Sequence, residues 1–262
     1  MIRGQDIPND RLYEPAHIQA VQADMAESFL DFFARFAPDK LTLLHHMQEG
    51  LERFLGEQAD YEKLLDKEYL YEYSFDPGSF RGTLEKECPI IRRCLKSKAK
   101  VMDAYRAAFY HTKGDRMLKV VNNLSEFTEQ FMLDFHPEQQ LSAAEPSELG
   151  ISDLDTEPYT AFGVIGGGIR SHFIYNQHPV AFPNRSQNSV WVYYFLTHQK
   201  DYGFEDGSEF LMINSDGSGT QQNFFYPYDL FTFYATRLYL LLRENCKKAP
   251  ATNWMKLTAM FT

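Results

Sequence analysis

The chain has 262 residues, 44% of them hydrophobic and 24% charged, and a formal net charge of -10. That length suits one large domain or two lobes sharing a core, and no apolar run approaches the ~20 residues that cross a bilayer. The polar opening MIRGQDIPNDRLYEP has no signal core, and Cys88, Cys94 and Cys246 lack CxxC spacing. These features predict a reduced, cytoplasmic protein without a disulfide framework, metal or cofactor.

The chain opens as helix. PAHIQAVQADMAESFLDFFARFA places Ile18, Val21, Met25, Phe29, Phe32, Phe33 and Phe36 three or four residues apart, and Pro38 marks its stop. Leu44, Met47, Leu51, Phe54 and Leu55 repeat the pattern, and ADYEKLLDKEYLYEYSF continues helical to the turn signal DPGS. Helices before and after Pro89 follow, then another over DRMLKVVNNLSEFTEQFMLDF.

Charge is unevenly spread. From Arg81 to Lys119 there are eleven basic and four acidic residues, a local +7, while the rest of the chain carries -17. A basic segment attracts polyanions through its local field even in an acidic protein, although such a run also serves as a solvated helical face.

A polar, proline-containing stretch at 141–158 reads as a connector between an N-terminal helical lobe (1–140) and a C-terminal lobe (159–262). Within the second lobe, SVWVYYFL reads as a short helix or strand. EFLMINSDGSGTQQNFFY reads as a small β-hairpin, and PYDLFTFYATRLYLLLREN as a helix. The expected fold is mainly α, two-lobed, with one small β-hairpin.

The stretch TAFGVIGGGIRSHFIYNQHPVAFPNR, residues 160–185, carries most of the functional content. Each glycine costs roughly 1 kcal/mol against alanine inside a helix, so Gly166, Gly167 and Gly168 predict a need for bare backbone. A dinucleotide loop requires a preceding strand and a βαβ unit, and a phosphate loop requires Gly-Lys-Ser/Thr, which is absent. The remaining reading has YTAFGVI as a first helix, the glycines as a turn and IRSHFIYNQ as a second helix. The exposed amides of that second helix, with a nearby cation, would grip a DNA phosphate.

On these residues the chain resembles the helix-hairpin-helix DNA glycosylases. GGGIR stands where that family has Gly-Val-Gly-x-Lys. HPVAFPNR carries Pro179, Ala181, Phe182 and Pro183 in the family's order, and the resemblance covers roughly residues 160–198. It implies a DNA-binding architecture that recognises or excises a damaged or modified base. Arg170 stands at the position of the family's lysine and Arg185 at that of its catalytic aspartate. An always-protonated guanidinium provides neither an amine nucleophile nor negative charge. The DNA contacts expected are therefore Gly166, Gly167, Gly168, Arg170 and Arg185, with Arg92, Arg93 and Lys96 from the basic segment. Asp201 and Asp206, from an acidic cluster with Glu205 and Glu209, are the candidate carboxylates. The alternatives are a helical regulatory protein with a pocket for a small anion cradled by the glycines, and a protein-interaction module. His45, His46 and Glu49 share helical spacing but read as structural rather than metal-binding.

Overall fold

A computed structural model describes residues 12–100, 102–197, 211–213, 220–222 and 227–248. The fold is mainly α. Helix α1 (Pro15–Phe36) starts on a proline at its first position, and α2 (Lys40–Leu65) is capped by Asp39, whose carboxylate accepts from Thr42 N at 2.9 Å. The helix expected to run on through residue 75 breaks at Asp66. There the same device, with Tyr69 N donating to the Asp66 carboxylate at 2.8 Å, opens the short α3 (Lys67–Glu72).

Pro89 separates α4 (Phe80–Glu87) from α5 (Pro89–Lys96); α6 (Met102–His111) and the long α7 (Gly114–Leu133) follow. After α8 (Pro137–Ser142) come three short 3-10 turns, at Pro146–Leu149, Ser152–Asp155 and Glu157–Tyr159. The C-terminal part adds α9 (Gly167–Gln177), α10 (Gln187–Leu196) and α11 (Tyr228–Lys248). Thus SVWVYYFL lies in a helix. A three-residue pair, β1 (Leu211–Ile213) and β2 (Thr220–Gln222), is antiparallel in the register Met212 opposite Gln221.

The apolar stripes of these helices meet in one buried cluster that runs from Leu12 to Tyr234. On α1, Ile18, Val21, Met25 and Phe29 are buried as their spacing predicts, while Phe36 at the end is exposed. Helix α1 packs against α10 and α11, and α2 packs against α9. Tyr61 of α2 meets Phe173 of α9 edge to face at 5.6 Å.

Residues on both sides of the 141–158 stretch contribute to that one core. The 141–158 stretch is part of that core: Leu149, Ile151 and Leu154 are buried there, and its second and third 3-10 turns pack on α11 and α7. Its polar composition is misleading because a 3-10 turn buries only one residue in three. Among the described residues no helix is long and apolar enough to cross a membrane.

Candidate functional site

The segment read as the first helix of a helix-hairpin-helix is not helical. Thr160 lies just past a 3-10 turn, and Ala161 and Ile165 pair as an isolated antiparallel bridge closing a tight turn. Ala161 N donates to Ile165 O at 3.1 Å, and Val164 N and Ile165 N both donate to Ala161 O at 2.8 Å. The left-handed residue is Gly163, with φ 76°, and a Cβ there would come within 3.0 Å of the Ala108 methyl on α6. Ala161, Val164 and Ile165 enter the core, and Phe162 at the apex is 91% exposed.

The three glycines then form the start of a helix rather than a turn. Gly166 is the N-cap in extended backbone, Gly167 begins α9, and Arg170 N donates to Gly166 O at 2.9 Å. What needs the bare backbone is Arg185. Its guanidinium lies across Gly167, so that a Cβ on Gly167 would overlap Nη1.

Both arginines are interior, Arg170 at 1% exposure and Arg185 at 4%. This corrects the expectation that they grip phosphates at the surface. Arg170 Nη2 is paired with the Asp155 carboxylate, and its Nη1 donates to Thr160 Oγ1 at 3.4 Å. The second oxygen of Asp155 accepts from Tyr228 N, so one carboxylate ties the first turn of α9 to the N-terminus of α11. Arg185 N donates to Ser171 Oγ at 3.0 Å, Ser171 Oγ donates to Gly168 O at 2.7 Å, and Tyr228 Oη donates to Pro183 O at 2.7 Å. Behind them, Tyr13 Oη donates to Asp229 Oδ1 at 2.7 Å, and burial raises the Asp229 carboxyl above its ordinary range.

The proline-rich segment that follows α9 is packed as well. Phe182 is fully buried against Phe131, centroids 5.0 Å apart, and Gln140 Nε2 donates to Ala181 O at 3.0 Å. Residues 160–185 thus form a polar lock between α9, α11 and the 3-10 turns. Chemically the lock hides two guanidinium groups and pairs that of Arg170 with a carboxylate.

The basic segment divides by residue type. Its arginines bond within the chain: Arg81 donates to Tyr110 O at 2.8 Å, Arg92 to Lys86 O at 3.1 Å, and Arg116 to Thr160 O at 2.8 Å. Arg106 is paired with Asp103, and Arg93 with Glu57, whose second bond is 3.2 Å. Its lysines are outside. Lys96, Lys98 and Lys100 are exposed where α5 gives way to α6, and Ile91 on the opposite face of α5 is buried. The glycine turn and the basic segment touch through Gly163 and Ala108. They do not share a cationic groove, because Arg170 and Arg185 point inward.

His172 on α9 is half-buried, within electrostatic reach of Arg93. Burial first, and that cation second, hold its imidazole down to about 4, and its Nδ1 lies 3.2 Å from Asn184 Nδ2. His45 and His46 each lie 3.6 Å from Glu49, and His46 stacks on Phe36; among the described residues no group of three potential ligands could hold a metal. Asp201 and Asp206, with Glu205 and Glu209, lie outside the described residues, as does the Ser-Asp-Gly-Ser-Gly turn.

Asp155, Tyr13, Tyr228 and Asp229 were not singled out by sequence. The signals available were an acid in the first turn of a helix starting near Pro227, and an aspartate within a polar run. Neither names its partner. Compared with protein-family models, curated proteins and solved structures, the chain matches none.

Proposed function

We propose that the chain binds DNA through the cationic edge formed by α5 and the residues that follow it. One observation carries the reading. From Pro89 to Val101 there is no acidic residue, while Arg92, Arg93, Lys96, Lys98 and Lys100 fall within nine positions. Among the described residues only Arg93 of these five has a carboxylate partner. The short helix is anchored by buried Pro89 and Ile91 with Arg93 and Lys96 exposed on it, and Lys98 and Lys100 are exposed just beyond its end. Such an edge neutralises phosphates without reading bases, so the reading is one of backbone contact. Recognition or excision of a damaged base would require groups beyond this edge.

Fluorescence anisotropy with a labelled duplex tests it. Affinity should fall by about 0.9 log unit per log unit of salt for each phosphate neutralised. A Lys96→Glu, Lys98→Glu, Lys100→Glu variant should bind at least roughly tenfold more weakly at low salt with an unchanged melting temperature. No anisotropy change at micromolar protein in low salt, or an unweakened triple variant, overturns the proposal.

A further inference from the structure

We propose that the C-terminal end of α7 forms a binding site for an organic cation with an apolar body, a quaternary ammonium or a guanidinium. The site is a cavity of about 380 Å³, within the size range of small-molecule sites, and it lies away from the cationic edge. One wall is aromatic. Phe127, Phe131 and Phe135 recur every four residues, with centroid spacings of 5.9 and 5.7 Å, and buried Phe182 supports Phe131 from behind.

The formal charges of the remaining wall are carboxylates. The C-terminal carbonyls of a twenty-residue helix end here, carrying roughly half a negative charge. Asp134 caps that end and Glu148 lines the same cavity; no lysine or arginine lines the space, and His136 is the one basic side chain of its lining. Glu148 Oε2 is positioned by accepting from Ala144 N at 2.8 Å. The Asp134 carboxylate is exposed and has no partner among the described residues.

Ring faces attract a cation through their quadrupole, and carboxylates at the rim select against a neutral or anionic body of the same shape. The glutamines of the rim, Gln130 and Gln139, add hydrogen-bond acceptors for a guanidinium. The chemistry is complementary to a cation and opposed to a phosphate, so this site is independent of the DNA proposal.

Saturation-transfer NMR on the full chain with choline, and with its neutral isostere 3,3-dimethylbutan-1-ol, tests the proposal. Choline should bind saturably and the isostere several-fold more weakly. Phe131→Leu should weaken choline roughly threefold to thirtyfold while Phe131→Tyr retains it. Should Phe131→Leu fail to fold, the exposed pair Asp134→Asn, Glu148→Gln decides, with an expected loss of at least about threefold and an unchanged melting temperature. Equal binding of the neutral isostere, unaltered choline binding by the carboxamide pair, or no saturable choline binding overturns the proposal.

Discussion

The guanidinium of Arg185 rests on the Cα of Gly167, eighteen positions earlier in the chain, in the space a side chain on that residue would take. Within the glycine run, that internal contact accounts for Gly167. Its first two members differ in kind: nothing lies within 4 Å of a Cβ on Gly166, whereas one on Gly167 displaces a buried charged group.

Gly167→Ala should therefore cost about 1–3 kcal/mol, the range for overpacking a closed interior. Gly166→Ala, at an N-cap where alanine is a poor substitute for glycine, should cost no more than about 1 kcal/mol. Urea denaturation of the two variants separates them. Equal losses would mean that the Arg185 contact does not constrain Gly167.

Arg170→Ala should destabilise the protein by about 3 kcal/mol, the lower end for breaking a buried pair, because the Asp155 side chain is one-third exposed and water can reach it. Asp155→Ala should cost more, since it also removes the acceptor for Tyr228 N at the start of α11. Thermal or chemical denaturation reads both, and a near-native melting temperature for Arg170→Ala would contradict the lock.

The histidine on α9 gives a pH signature. Burial lowers His172 from 6.5 to about 4, so the unfolded chain binds more protons between those values. Stability should rise with pH across that window, and be lost as pH falls from about 6.5 toward 4, by on the order of 3 kcal/mol from this group. His172→Gln should flatten the profile there. A variant with the wild-type slope would assign the acid sensitivity to other groups.

Neither Arg170 nor Arg185 can form an imine with an abasic sugar, since guanidinium remains protonated. Borohydride treatment of the protein with abasic DNA is expected to trap no covalent adduct. A trapped adduct mapped by peptide sequencing would identify a lysine amine acting in a place that the family resemblance does not indicate.

The helices were readable from spacing because burial of one helical face imposes its period on the residues themselves. Ile18, Val21, Met25 and Phe29 are buried as that period predicts. The functional segment was harder for a physical reason. A glycine run before a helix has the same local pattern whether its backbone faces a ligand phosphate or the chain's own arginine. The resemblance set Arg170 and Arg185 at the positions of the family's lysine and aspartate. It placed them outside because burial of a charge depends on a partner, and Asp155 lies 15 residues from Arg170 and 73 from Tyr228. Lys96 and Arg93 had equal standing in sequence, and only the nearby Glu57 on α2 distinguishes them.

The packing of α1 against α10 and α11 bears on how the chain is made. Tyr13 and Asp229, 216 positions apart, bond across that contact. At roughly 5–20 residues per second, ribosomal synthesis separates their emergence by about ten to forty seconds. Through that interval the inner face of the first helix, with Val21, Met25 and Phe29, lacks its α11 partners, and for most of it those of α10 as well. That apolar face stays exposed on the nascent chain until α11 is made, and exposed apolar surface of this kind favours aggregation. A premature stop before α11 is expected to leave an insoluble fragment rather than a smaller folded one.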